Sequence, residues 1–201
     1  MSKKVLRRLS KHFGDDIIST HDQFGDETAL VTTPSWKAVA TFLRDDPKLQ
    51  MNHFIDLTAV DYQDRREHRY EVVLHVRSMQ FMHRLRLKAA LHADGDDSPH
   101  IDSLVSVWRG ADWFERECFD MFGIVFDGHP DLRRILMYEE FTGHPLRKDY
   151  PAQQTQPLIP YREGINNEKL PPFGLHEGMP FGRQTHDHRP GKRNLLGFDN
   201  E

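Results

Sequence analysis

Between Glu115 and Pro151 the chain gathers the residue types that carry acid–base, nucleophilic and metal chemistry. Glu115, Glu117 and Asp120 fall within two helical turns, with Cys118 among them. Two histidines follow in a repeated phrase, Gly128-His129-Pro130-Asp131-Leu132-Arg133-Arg134 and Gly143-His144-Pro145-Leu146-Arg147-Lys148-Asp149. Paired carboxylates can divide the roles of general acid and general base. A thiolate can attack once a neighbour lowers its pKa. Two histidines with carboxylates can hold a divalent metal.

Each reading has a plainer competitor. Cys118 shares a helical face with Phe114, Met121 and Phe122, so it reads as a small buried apolar residue. Asp112 and Glu115 match a capping box, with Asp112 as N-cap and Glu115 at the third helical position. Glu117 and Asp120, on a face with Trp113 and close to Arg116, then read as an ion-paired helix surface. No nucleophile with an adjacent base and no phosphate-cradling glycine loop accompanies them. His129 and His144 lie 15 residues apart, and the single cysteine leaves two histidines plus carboxylates as the only ligand set. The plainer expectation is two rigid turns, each aiming the following leucine and basic pair outward. Arg133, Arg134, Arg147 and Lys148 would then meet carboxylates in this chain or on a partner.

The elements that must position this stretch can be read from periodicity. A helix is predicted over Trp113–Phe122, with Gly123 where a left-handed C-terminal glycine belongs. Upstream, residues 3–13 have an amphipathic helical stripe of Val5, Leu6, Leu9 and Phe13, ended by Gly14. Residues 17–24 and 28–33 read as two strands around Gly25-Asp26, and Ser35 reads as the N-cap of a helix over 36–44. Asp45-Asp46-Pro47 stops that helix. Three alternating strands are predicted over 54–62, 70–77 and 83–89, linked as hairpins. The acidic run Asp94–Pro99 lacks the closing glutamate of a calcium loop and reads as a solvated turn. Residues 101–108 fit helix or strand equally. Short links between antiparallel neighbours, with helices before and after, predict an α+β fold: a mostly antiparallel sheet with helices packed on it.

Composition bounds the rest. A net charge of -4 excludes the basic profile of a general nucleic-acid binder. One cysteine makes no internal disulfide and cannot ligate an iron–sulfur cluster. No run approaches the roughly 18 apolar residues of a membrane span. The basic N-terminus lacks the apolar segment of a signal peptide, so a soluble, cytosol-facing chain is expected. After Pro151 the character changes: residues 152–201 hold 6 of the 12 prolines and 6 of the 13 glycines, with few aliphatics. The expected organisation is an α+β domain over 1–151, then an extended, mostly irregular C-terminal arm over 152–201. Spaced apolar residues such as Leu158, Tyr161, Phe173 and Leu195 suit an arm laid across other proteins. His186-Asp187-His188 reads as an exposed polar turn rather than a metal pair.

Three stretches taken together carry a resemblance. They are Glu115-Arg116-Glu117-Cys118-Phe119-Asp120-Met121-Phe122-Gly123-Ile124, His129-Pro130-Asp131-Leu132-Arg133-Arg134-Ile135-Leu136 and Gly143-His144-Pro145-Leu146-Arg147-Lys148-Asp149-Tyr150-Pro151. This pattern resembles the signature of the 30 kDa subunit family of respiratory complex I, the NADH:quinone oxidoreductase. Trp108 and Asp112-Trp113-Phe114 extend it upstream, and residues 30–110 follow the family's order of elements less specifically. Cys118 and Phe119 depart from it, standing where the family tends to have a larger aliphatic or aromatic pair.

The resemblance implies a non-catalytic subunit of the hydrophilic peripheral arm, peripheral to the inner membrane on its cytoplasmic or matrix side. It would sit beside the subunits bearing the quinone site and the terminal cluster, touching the membrane only through the complex. FMN, iron–sulfur clusters and quinone are then expected in partner subunits and none in this chain. The signature residues become an expected subunit interface: Glu115, Arg116, Glu117, Asp120, Phe122, Gly123, His129, Pro130, Asp131, Arg133, Arg134, Gly143, His144, Pro145, Arg147, Lys148 and Asp149. Two other readings stay open: the equivalent subunit of a membrane-bound hydrogenase or other quinone-reducing complex, and a free-standing enzyme with a metal on His129, His144 and nearby carboxylates.

Overall fold

Apolar side chains at every second position build the sheet, and their register sets which face is dry. The computed structural model describes residues 4–92 and 98–157. In β3 (His53–Asp61), β4 (Tyr70–Arg77) and β5 (Arg84–Leu91), Leu57 pairs with Leu74 and Leu74 with Leu87. Two residues along, Ala59, Val72 and Ala89 line up in the same way, and all six side chains are buried. With β1 (Ile17–His21) and β2 (Thr28–Val31) the order is β1-β2-β5-β4-β3. Three pairings are antiparallel, while β2 and β5 run parallel.

The expected α+β architecture is present as a mixed sheet with helices on it. The one parallel pairing escaped the sequence because β2 meets β5 only after an intervening helix and hairpin, and short-link reasoning sees sequential neighbours alone. The first strand stops at His21, and Phe24 falls in the turn beyond it with φ 57°.

Three helices bury their apolar stripes in one cluster with the sheet's inward side chains. α1 (Lys4–Phe13) contributes Val5, Leu6 and Leu9, and α2 (Trp36–Asp45) contributes Trp36, Val39, Ala40 and Leu43. Burying each large side chain of this kind stabilises by about 1.5–3 kcal/mol. Arg8 clamps α1 to the end of α2 through both oxygens of Asp46 (2.9 and 2.6 Å). Ser35 does not cap α2. It ends a 3-10 turn over Thr33–Ser35 with φ −88° and ψ −4°, already close to helical, and its hydroxyl makes no capping bond.

α3 (Ala111–Phe122) is the signature helix. It lies between two short strands the sequence left unassigned, β6 (His100–Asp102) and β7 (Val125–Asp127), which pair in parallel. That crossover fixes both ends of α3 against the core. The indole N–H of Trp108, just before α3, donates to Met51 O (3.1 Å) at the approach to β3. Among the described residues, no helix is long and apolar enough to cross a membrane. Most of the acidic run 94–99 and nearly all of the C-terminal arm lie outside the described residues, His186-Asp187-His188 included.

Candidate functional site

α3 starts without the capping box. The residue before it is Gly110, no side chain caps the first turn, and Asp112 is already inside the helix. Glu115 turns inward instead. Its Oε2 accepts from Ser103 Oγ (2.7 Å) and its Oε1 from the Leu104 N–H (2.6 Å), and its side chain is fully buried. Those two donors sit on the turn after β6, so Glu115 ties α3 to that strand. Burial pushes its pKa up to about 7 against the lowering effect of the two hydrogen bonds.

His129, from the first Gly-His-Pro turn, completes this end of α3. Its Nδ1 accepts from the Asp131 N–H (3.0 Å), so the proton sits on Nε2, which faces Asp112 O (3.3 Å) and Glu115 Oε2 (4.0 Å). Its side chain is fully buried. The turn folds its histidine back onto the helix.

Asp120 was expected on the helix surface, and it is fully buried. Its Oδ2 accepts three consecutive backbone N–H groups, from Ile135 (3.1 Å), Leu136 (2.8 Å) and Met137 (2.8 Å). Arg134 Nη1 binds Oδ1 at 2.7 Å, and Arg134 Nη2 reaches Gly143 O (3.1 Å). Burial works to raise the Asp120 pKa, but the donors from Met137, Arg134, Leu136 and Ile135 outweigh it and hold the carboxyl below its ordinary value. Arg116 grips the same segment from the helix, donating to Arg133 O and Arg134 O (both 3.1 Å). The chain after the first turn is thereby wound onto α3 by one anion and one cation of the helix itself.

The second Gly-His-Pro turn finishes the helix. The last four carbonyls of an α-helix have no partner within it. Here Phe119 O accepts from Gly123 N (2.9 Å), Asp120 O from His144 Nδ1 (2.9 Å), Met121 O from Leu146 N (3.1 Å), and Phe122 O from Arg147 Nε (2.5 Å). Arg147 also places a cation at the negative end of the helix dipole. Burial, followed by the nearby Arg147 and Arg134, lowers the His144 pKa, although the bond to Asp120 O opposes this. Gly123 permits the arrangement twice over. Its φ of 77° is left-handed, and a Cβ there would run into Arg147 Nη2 and His144 Nε2.

The same turn is pinned to the sheet. The Lys148 N–H donates to Asp61 Oδ2 (2.8 Å) at the end of β3. Arg69 lies between Asp61 (3.4 Å) and Asp149 (2.8 Å). Burial would raise the Asp61 pKa, but the Lys148 and Gln63 N–H groups and Arg69 bring it below the ordinary value.

The expectation of outward-aimed basic pairs therefore fails for half of its members. Arg134 and Arg147 point inward, because buried carbonyls and the Asp120 carboxylate attract them more than solvent does. Leu132 is half-buried against the core. Arg133, Lys148 and Leu146 do face outward, with Asp131 beside Arg133 (2.9 Å). Trp113, Glu117 and Leu136 are exposed as well, Trp113 to 68%.

The geometry also separates the two histidines. His129 meets α3 at Asp112 and His144 meets it at Asp120, eight residues or about 12 Å apart along the axis at ~1.5 Å per residue. The two histidines do not share a ligand site. Cys118 is buried, directs its thiol at Leu57 O (3.7 Å), and burial raises its pKa well above the ordinary thiol value. It packs as a core residue, as its helical face predicted.

The sequence missed Ser103, Asp61 and Arg69 as parts of this assembly. Asp61 left a readable trace: it continues the inward parity of Leu57 and Ala59, where a carboxylate must find partners. Ser103 left none.

Comparison with known proteins identifies the family. The sequence pattern of the family described as respiratory-chain NADH dehydrogenase, 30 kDa subunit, matches residues 29–156. The C subunit of the NADH-quinone oxidoreductase of Burkholderia multivorans is 45% identical over 149 residues, covering 72% of this chain and 74% of that one. The protein of the same name from Polynucleobacter necessarius is 42% identical over 159 residues, 75% of this chain and 79% of that one. Among solved structures, a trypsin-resistant fragment of Nqo5 matches at a TM-score of 0.54 and 24% identity, covering 64% of this chain and 98% of that chain. A chain of the membrane-bound sulfane sulfur reductase, an archaeal respiratory membrane complex, matches at 0.62 and 18% identity, covering 75% and 86%. At those identities the two structures speak for the fold alone. The sequence match spans most of the sheet, α3 and both Gly-His-Pro turns, and on that extent this chain belongs to the 30 kDa subunit family of the respiratory-chain NADH dehydrogenase.

Proposed function

We propose that this chain is a non-catalytic structural subunit of the peripheral arm of proton-translocating NADH:quinone oxidoreductase, respiratory complex I. It braces the quinone-site subunit and the subunit bearing the terminal iron–sulfur cluster while electrons pass from NADH to quinone through its partners. FMN, the iron–sulfur clusters and quinone belong to those partners. The complex is the enzyme, and this chain stays peripheral, on the cytoplasmic side of a bacterial inner membrane.

One observation supports the reading above the others. Apart from the exposed Glu117, the groups the sequence offered for chemistry in the signature are engaged inside the chain: Glu115 with Ser103 and Leu104, Asp120 with Arg134 and three N–H groups, His129 and His144 with α3, Cys118 with Leu57 O. What the signature leaves to solvent is a surface of Trp113, Glu117, Arg133, Leu136, Leu146 and Lys148, which suits docking.

The test is purification of the full chain from solubilised membranes with everything that stays bound. Recovery of flavin-bearing, cluster-bearing and quinone-site subunits in equal amounts is expected. Recovery with a hydrogenase and no flavin subunit, or of a chain alone with one tightly bound metal per molecule, overturns the proposal.

A further inference from the structure

The signature helix runs along β3, with Phe114 against Phe54, Cys118 at Leu57 O and Lys148 at Asp61, and a second cluster, drawn from other segments, occupies the end where β3 begins. β3 begins at His53, paired with Arg77, and ends at Asp61, where Lys148 binds. Eight steps of ~3.3 Å separate those ends by about 26 Å. At the His53 end, five large apolar side chains stand in solvent: Phe24, Ile55, Met79, Phe81 and Met82. They come from three different segments: the β1–β2 turn, the β3 bulge and the β4–β5 turn. Dispersed exposed apolar residues are ordinary, but five at one end of a single sheet are a concentration.

Backbone conformation adds a second observation. Phe24 (φ 57°) and Met82 (φ 58°) both adopt the left-handed region. For a residue with a Cβ that conformation costs roughly 1–2 kcal/mol, and glycine would remove the cost. In both turns the strained position carries a large apolar side chain that touches water. Such strain is characteristic of sites whose shape serves contact rather than local stability.

The charges describe what fits there. Arg77 Nη2 donates to the Met82 thioether (3.5 Å), a weak acceptor, and meets no carboxylate among the described residues. Arg84 and Arg86 already share Asp26 (2.5 and 3.5 Å). A groove of about 240 Å³ crosses β3, β4, β5 and the turn before β2 beside them, lined by Glu27, Ile55, His75, Arg84 and Arg86. Glu27 is 8% exposed, and its Oε2 has no hydrogen-bond partner among the described residues. Among the described residues, the end therefore has no anion opposite Arg77 and no donor on Glu27 Oε2. Its cationic excess is small because Asp26 neutralises its neighbours, which disfavours an anionic lipid surface.

We propose that this end of the sheet is a second docking surface, for an apolar polypeptide segment of another subunit with a carboxylate opposite Arg77 and a hydrogen-bond donor for Glu27. The proposal rests on the reading under Proposed function and deepens it: a brace needs more than one contact surface, and this one is built from turns outside the signature.

Two measurements on the assembled complex test it. The first replaces Arg77→Glu together with Met82→Asp in the full chain. Recovered complex should fall about ten-fold or more, as loss of an anchor at an interface does, with the melting temperature of the separate chain unchanged. The second introduces Phe24→p-benzoylphenylalanine, at a fully exposed side chain, and irradiates the intact complex. An adduct to an apolar segment of a different subunit, with Asp or Glu in the same peptide, is expected. Wild-type complex yield from the double variant overturns the proposal, as does photo-adduct formation only with lipid, only with another copy of this chain, or with nothing. Should the double variant unfold, the photo-adduct decides. If the wild-type chain itself recovers no oxidoreductase subunits, the subunit reading fails instead, and the two failures are told apart.

Discussion

Arg134 Nη1 lies 2.7 Å from Asp120 Oδ1, and the aspartate side chain is wholly buried while the arginine is 19% exposed. The pair joins a helix to the loop that wraps it, and three backbone N–H groups share the same carboxylate. Removing one member of a buried pair leaves the other uncompensated, at a cost of about 3–5 kcal/mol. Asp120→Ala should therefore destabilise the full chain by an amount in that range, read from its denaturant unfolding curve. Asp120→Asn, which keeps one acceptor, should cost less. The carboxyl's pKa lies below 3.8 in the folded chain, so its contribution is present above that pH and disappears as pH falls through the lower folded value. Equal midpoints for wild type and Asp120→Ala would remove this account of the loop.

Glu115 carries the opposite sign. Its pKa rises from 4.5 to about 7 on folding, so the folded chain holds a proton that the unfolded chain has released. Stability from this group is complete below pH 4.5 and is lost as pH rises to about 7. Glu115→Gln should flatten the stability profile across that window, by an amount on the order of 3 kcal/mol. Unfolding curves at about pH 5 and pH 8, on either side of most of that window, give the answer for both proteins, and parallel profiles would contradict it.

Gly123 and Gly128 make a matched comparison. Both are left-handed, with φ of 77° and 79°, but a Cβ at Gly128 meets nothing within 4 Å, whereas one at Gly123 meets Arg147 and His144. Gly128→Ala should cost only the backbone term, about 1–2 kcal/mol. Gly123→Ala should cost clearly more and should expose Arg147 to solvent. Calorimetry of the two variants checks the order, and equal costs would mean the second turn yields easily.

Adjacent arginines should separate fold from assembly. Arg133 projects from the surface, while Arg134 is committed to Asp120. Arg133→Glu should leave the melting temperature of the chain within a degree or so and reduce recovery of the complex, as changes to an exposed surface charge do. Arg134→Glu should destabilise the chain itself. If Arg133→Glu assembles normally, the signature surface around Trp113 is not where a partner binds.

The dry face of the sheet was legible because period-2 alternation in Leu57–Asp61 and Leu85–Leu91 reports burial directly, whereas Tyr70–Leu74 in β4 is buried at every position. The extent of α3 was legible from its own period, with Gly123 as its stop. The insides of the signature were not. Asp112 and Glu115 satisfy a local capping rule, yet Ser103 and Leu104 compete for Glu115 from a turn eleven or twelve residues earlier, and no local pattern records that. Arg133-Arg134 read as one basic pair, although a buried carboxylate fourteen residues upstream selects only the second. Polar partners distant in sequence cannot be ranked from spacing. They are settled by which burial would otherwise leave a group unpaired.

Three of the last carbonyls of α3 are satisfied by residues 24 or 25 positions further along, and the bond from Lys148 to Asp61 closes a loop of 87. Ordering so long a loop is slow compared with the hairpins of the sheet, so the helix terminus is among the later features to mature. During synthesis the sheet through Leu91 can emerge and pair while α3 still lacks its final turn. A chain arrested or cleaved before Gly143 would keep its hairpins and lose the finished helix end. The sequence distance across that closure thus sets the moment at which the signature surface comes into being.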